Sequence, residues 1–169
     1  MDLNSELARR LAGNYDLALL EHLEAVEQSL VGLSGLTLCR NLRRLNINQN
    51  RISDSTAVAK LPRLETFLAR GNRLRTITPL RGHATLQHLD VRDNAIVDWE
   101  TFVQDCASLP QLRRLDFAGL GPAEDPAVAE TEQQLMAVCA NLNVLNGKPR
   151  ICACTEGCAP HVMRAVRPA

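Results

Sequence analysis

The chain has 169 residues, a formal net charge of zero and only 3% aromatic side chains. That length favours one domain with a sizeable core. Neutrality removes the electrostatic footprint of a protein that grips nucleic acid or an anionic membrane directly, and the scarcity of aromatics disfavours base-stacking platforms. No stretch approaches the roughly 18 apolar residues of a membrane span, and the N-terminus lacks a basic segment followed by an apolar one. The expectation is a soluble, cytoplasmic protein. Cys39, Cys106 and Cys139 sit among apolar residues, where a free cysteine behaves as a small hydrophobe.

In chain order, residues 4–13 begin with an N-cap asparagine and carry Leu7, Leu11 and Ala12 at helical spacing, which predicts a helix over the first edge of whatever follows. Next comes a repeat, spaced as Leu42, Leu45, Ile47, Asn50 and Ile52. It recurs 22 residues later as Leu64, Phe67, Ala69, Asn72 and Leu74, then as Leu86, Leu89, Val91, Asn94 and Ile96. A degenerate copy lies upstream at Leu20, Leu23, Ala25, Gln28 and Leu30, and a later one reads Leu112, Leu115 and Phe117 after a step of 26 residues. The period-two part of each unit predicts a short strand with one face inward. The asparagines are expected to turn the chain, their amides pairing with backbone groups that lack ladder partners.

In the return halves apolar residues step by three, as in Leu30, Leu33, Leu36, Cys39 and Leu42, or Leu74, Ile77, Leu80, His83 and Leu86. That step fits 3-10 or short helical turns. The long fourth step predicts a true helix in the inserted segment, with Trp99 and Phe102 in the core. Beyond it, Asp125 as N-cap, Pro126 at the first helical position, and Val128, Leu135, Val138 and Cys139 on one face predict a closing helix. The expected organisation is a capped repeat domain over residues 1–148, with the N-terminal helix at 4–13, repeats over about 20–120 and a C-terminal cap at 121–148. A cysteine-containing tail occupies 149–169. Its Cys152, Cys154, Cys158 and His161 form the one set of possible metal ligands, but the spacing lacks paired knuckles and no metal is favoured.

A period of 22 residues with this leucine spacing is the signature of leucine-rich repeats. The chain resembles the 22-residue class that includes a regulatory subunit of protein phosphatase 1, the U2 snRNP A-prime protein and axonemal dynein light chain 1. The likeness extends to the ending "LNVLNGKPR", similar to the cap ending of that class with Asn146 in place of an aspartate, while Leu120 takes the slot of the fourth turn asparagine. The resemblance implies an α/β solenoid. Short parallel strands would line its concave face, 3-10 or helical turns its convex face, and helices would cap both ends.

Strand alternation places three columns on the concave side. They run His22, Arg44, Thr66, His88, Arg114; Glu24, Asn46, Leu68, Asp90, Asp116; and Val26, Asn48, Arg70, Arg92, Ala118. The candidate binding residues are Arg44, Asn46, Asn48, Leu68, Arg70, His88, Asp90, Arg92, Arg114 and Asp116, with Arg70 and Arg92 beside Asp90 and Asp116. The alternative is a solvated sheet whose charges pair across neighbouring strands. No nucleophile with a positioned base assembles around the histidines, so no catalytic residue and no cofactor is expected.

The resulting expectation is a non-enzymatic interaction scaffold with protein partners in a multi-subunit assembly, with no direct nucleic-acid or membrane contact. A cytoskeletal or ciliary setting is favoured by the likeness of the short N-terminal helix to small ciliary proteins. The alternatives are a subunit of an RNA-processing particle and a phosphatase regulator.

Overall fold

The computed structural model describes residues 1–13, 16–119 and 126–150. Seven strands form one sheet in sequence order: β1 (His22–Glu24), β2 (Arg44–Asn46), β3 (Thr66–Leu68), β4 (His88–Asp90), β5 (Arg114–Asp116), β6 (Val144–Leu145) and β7 (Lys148–Pro149). The first six are parallel and the last pair is antiparallel. The 22-residue period sets the register of Leu23, Leu45, Phe67 and Leu89, the 26-residue step adds Leu115, and the line is buried from end to end. Strands this short cannot bury a face alone; each repeat needs its neighbour.

The turn asparagines do more than turn the chain. Asn50 accepts the Gln28 and Leu30 N–H groups at 3.1 and 2.9 Å, and its amide donates to the Ala25 and Ile47 carbonyls at 2.7 and 2.8 Å. Asn72 and Asn94 repeat the pattern one and two units on. Each thus stitches its own repeat to the one before. The slot just ahead of the asparagine is left-handed in every unit, at Glu27, Gln49, Gly71, Asp93 and Gly119, with φ between 54° and 78°. Three of the five are not glycine, a conformational cost that the asparagine bonds offset.

On the convex side 3-10 turns occupy Ser34–Leu38, Val58–Lys60 and Thr78–Leu80, and the apolar residues at steps of three are buried. His83 fills one such slot, with its Nε2 2.8 Å from the Leu61 carbonyl oxygen. The inserted segment forms α2 (Trp99–Ala107), capped by Asp98, whose carboxylate accepts the Thr101 N–H at 3.0 Å. Phe102 is buried, and Trp99 packs edge-on against Phe102 and Phe117, with ring centroids 6.1 Å away in each case. The buried Asp105 ties α2 to the preceding repeat by accepting from Thr78 Oγ1 at 2.7 Å and from Arg81 Nε at 2.9 Å.

At the N-terminus α1 (Ser5–Ala12) starts at Asn4, whose side chain accepts the Leu7 N–H at 2.8 Å, and buries Leu7 and Ala8. Leu11 and Ala12 are only partly buried. The closing helix α3 spans Pro126–Val138. Its buried face runs through Thr131, Leu135 and Cys139, with Val128 partly covered. Val138 does not join it, contrary to expectation, and is 55% exposed. Steps of three, four and four from Val128 average close to 3.6 residues per turn, whereas Val138 lies 100° away from Cys139. Asp125 and Leu120 lie outside the described residues.

The ending "LNGK" is a β-hairpin. Asn146 and Gly147 both have positive φ, 48° and 74°, the requirement of a two-residue type I′ turn, which explains the Asn-Gly pair joining β6 to β7. Arg150 then returns to the cap: its N–H donates to the Asn143 carbonyl at 2.7 Å, and its guanidinium donates to the Cys139 and Ala140 carbonyls at the end of α3.

Candidate functional site: the concave sheet

The expected columns are real. Strand register aligns His22, Arg44, Thr66, His88 and Arg114, and beside them Glu24, Asn46, Leu68, Asp90 and Asp116. Along the sheet, however, these residues divide into two zones of different character.

Over β4 and β5 the charges are spent on one another. Arg92 grips Asp90 with two hydrogen bonds, from Nε at 3.0 Å and from Nη2 at 2.7 Å, and Asp90 is only 4% exposed. Arg114 Nε donates to Asp116 Oδ2 at 2.7 Å, and His88 Nε2 lies 3.3 Å from the same oxygen. Burial pushes the Asp116 carboxyl up, but the hydrogen bond and charge of Arg114, the bond to His88 and the charge of Arg92 together hold it below the usual carboxylate range. The Asp90 hydrogen bond holds Arg92 firmly protonated. For His88 burial dominates and lowers its pKa, with Asp116 partly opposing.

Arg70 departs from expectation. It pairs neither with Asp90 nor with Asp116; its Nε donates to Asp93 Oδ2 at 2.7 Å. Asp93 escaped the column reading because it lies past the strand in the left-handed slot, where alternation no longer says which way a side chain points. The pairing of neighbouring charges weighed as an alternative is therefore present, in two pairs at i and i+2 and in two that reach diagonally to the next repeat.

Over β2 and β3 the surface is different. Arg44 is exposed and makes no ion pair among the described residues, and Leu68 is a half-buried apolar side chain between Asn46 and Asp90. Asn46 and Asn48 act locally, accepting the Asn48 and Arg70 N–H groups at 3.2 and 2.8 Å. Clefts of about 290 and 360 Å³ lie at the two caps, against α1 and against α3.

Among the described residues no cluster of His, Cys, Asp or Glu is arranged to hold a metal, and no helix is long and apolar enough to cross a membrane. The cluster of Cys152, Cys154, Cys158 and His161 lies outside the described residues. Burial raises the pKa of the Cys39, Cys106 and Cys139 thiols, which keeps them protonated and poorly nucleophilic.

His88 and Asp116 make stability fall with acid. A histidine with a lowered folded pKa adds stability that is complete above its unfolded value, about 6.5, and declines as pH drops towards the folded one. Asp116 adds stability above the unfolded carboxylate value, about 3.9, which is lost as pH falls through its depressed folded pKa. The urea midpoint is expected to be lower at pH 5.5 than at pH 7.5, and the drop to shrink in His88→Asn. An unchanged drop in that variant would remove His88 from the account.

Two family models match the chain: leucine-rich repeats in two copies over residues 40–82, and a single leucine-rich repeat over residues 82–98. They cover the repeats whose turn asparagines stitch the sheet. The protein is a leucine-rich-repeat solenoid. Solved structures of this fold include an internalin C2 (inlC2) from Listeria monocytogenes str. 4b F2365, similar with TM-score 0.66 at 21% identity over 83% of this chain and 61% of its own. An internalin (inlF) from the same strain is similar with TM-score 0.62 at 21% identity over 76% of this chain and 35% of its own. The solenoid thus spans less than two thirds of either internalin chain, and at this identity the likeness is one of fold. No curated protein matches the chain.

Proposed function

We propose that this leucine-rich-repeat protein is a non-enzymatic interaction module that holds a protein partner on its concave sheet, over β2 and β3. The observation that carries the reading is the contrast between the two zones. Over β4 and β5 the charges already satisfy one another, so a ligand gains little by displacing them. Over β2 and β3, the exposed Arg44, without an ion pair among the described residues, and the partly exposed Leu68 lie on adjacent strands two register positions apart, a charged anchor and an apolar contact of the kind on which interfaces rely. The paired zone frames that patch. Its neutral total charge suits a partner recognised by local complementarity.

The 22-residue class and a multi-subunit, cytoskeletal or ciliary setting are part of the proposal and rest on the repeat spacing and the likeness of the N-terminal helix.

The test is purification of the tagged protein from its native cells, comparing wild type with Arg44→Glu/Leu68→Asp. Neither substitution touches an ion pair, whereas reversing Arg92 would strand the buried Asp90 beside a like charge. Loss of a defined protein set, by about tenfold or more, with an unchanged melting temperature is expected. Recovery of the same set by the variant would move the binding site off the concave face.

A further inference from the structure

The two ridges that flank the sheet treat their arginines differently. On the ridge that leads into the strands, Arg43 sits between Glu21 and Glu65, 3.9 and 2.8 Å from their carboxylates. There the 22-residue period alternates charge over Glu21, Arg43 and Glu65, and the Arg43 guanidinium has counter-charges on both sides. On the ridge that follows the turn asparagines the same period stacks like on like. Arg51 and Arg73 occupy one slot in successive repeats: the Arg51 N–H donates to the Leu30 carbonyl at 2.8 Å and the Arg73 N–H to the Ile52 carbonyl at 2.9 Å. Their backbones are therefore about 5 Å apart, one strand spacing. Arg75 joins them, because Arg73 is exposed, Leu74 buried and Arg75 exposed again. None of the three makes an ion pair among the described residues.

Like charges directly opposite one another on adjacent strands are destabilising, and nothing in the local packing requires arginine at three exposed positions. An external anion would turn that cost into affinity. The surroundings narrow its nature. Arg75 lines a cleft of about 220 Å³ with Ile77, Ile96 and Phe102. Asp98 borders the same cleft, but its carboxylate is occupied by the Thr101 N–H at 3.0 Å and the Thr101 hydroxyl at 2.7 Å. Val97, one repeat beyond Arg75, is 78% exposed. Three planar guanidiniums suited to bidentate carboxylates, on the same ridge as the exposed apolar Val97, fit a peptide more than a phosphate backbone.

We infer that Arg51, Arg73 and Arg75 form a second docking surface, separate from the concave patch, for an acidic protein segment that carries at least one apolar side chain to place against Val97. The segment belongs to another protein: residues 151–169 of this chain contain a single carboxylate side chain, Glu156, too little to neutralise three arginines. Because the arginines are exposed, each contact is weak and screened by salt. Affinity comes from the three acting together.

The experiment is fluorescence anisotropy of the full chain with a labelled peptide of several glutamates around one leucine. Wild type is expected to bind in low salt and to lose about tenfold in affinity in Arg51→Gln/Arg73→Gln and more in Arg51→Glu/Arg73→Glu. Arg44→Glu/Leu68→Asp, which disables the concave patch, is expected to bind the peptide as wild type does, so that the two surfaces fail or stand separately. Equal binding by wild type and Arg51→Gln/Arg73→Gln would overturn the inference. So would tighter binding of a single-stranded oligonucleotide of equal charge, which would assign the ridge to nucleic acid. Melting curves check that both double variants are folded; the glutamine pair, which only removes like-charge repulsion, is expected to melt no lower than wild type.

Discussion

Asn50→Ala is expected to lose about 3–5 kcal/mol of folding stability, since it strips the partner from three backbone groups of the preceding repeat, each worth roughly 1–3 kcal/mol when left unsatisfied in the interior. The groups are the Gln28 and Leu30 N–H donors and the Ala25 carbonyl, whereas the Ile47 carbonyl keeps its bond from the Asn72 amide; Asn50 itself is only 7% exposed. Against a total of about 5–15 kcal/mol for a domain, that is a large fraction. Because a solenoid is a chain of nearest-neighbour interfaces, the damage concentrates at the junction of the first two repeats. Urea unfolding followed by circular dichroism measures the loss, and hydrogen exchange locates it. Asn94→Ala is the internal comparison: that side chain is less buried, water can replace part of its bonding, and a smaller loss is expected. A loss below about 1 kcal/mol at Asn50 would mean that the asparagines only accompany the turns.

The second large effect is expected at Gly35. A Cβ there would lie 2.5 Å from the Asn4 carbonyl carbon, 2.6 Å from the Ser5 nitrogen and 2.8 Å from the Asn4 carbonyl oxygen. All three are backbone atoms, and that backbone is anchored: the Leu3 N–H donates to the Gly32 carbonyl at 2.9 Å, the Gly35 N–H to the Leu3 carbonyl at 2.6 Å, and Asn4 caps α1. The contact can be relieved only by lifting α1 off the first repeat. Gly35→Ala is therefore expected to cost about 3 kcal/mol, the upper part of the usual range for overpacking, and to speed exchange of the Leu7 and Ala8 amides ahead of the repeats. Gly13→Ala serves as contrast. Nothing lies within reach of its Cβ, so only the left-handed backbone penalty of about 1–2 kcal/mol applies. Equal exchange at α1 in wild type and Gly35→Ala would show that the cap can shift without cost.

What the residues declared in advance was everything that depends on period. A step of 22 puts Leu23, Leu45, Phe67 and Leu89 on one line, a step of 26 adds Leu115, alternation turns them inward, and a step of three winds the convex turns. Backbone periodicity repeats identically in every unit, so a single chain contains enough copies to reveal it. The concave columns followed for the same reason. The hairpin at Asn146 and Gly147 is also legible in principle, as an Asn-Gly pair after the apolar Val144 and Leu145, but the exposed Lys148 and Pro149 that follow give no apolar alternation to mark the second strand.

Tertiary structure alone decided which of the column residues remain free to bind. Whether Arg70 turns to Asp90 or to Asp93 depends on where a left-handed turn aims a carboxylate, and an arginine long enough to reach either is not constrained by spacing. Asn146 is the other such case. β6 ends at Leu145, opposite Leu115, and supplies no strand acceptors beyond that point, so the Asn146 side-chain oxygen takes the Phe117 and Ala118 N–H groups at 2.7 and 3.1 Å, while its amide donates to Glu132 on α3 at 2.7 Å. The arginines at 51, 73 and 75, without an ion pair among the described residues, likewise became visible only once Asp54, Asp93 and Asp98 had been assigned to Thr56, Arg70 and Thr101. Periodicity specifies where the backbone goes. Which charges are spent, and which are left for a partner, is settled by side-chain reach in three dimensions.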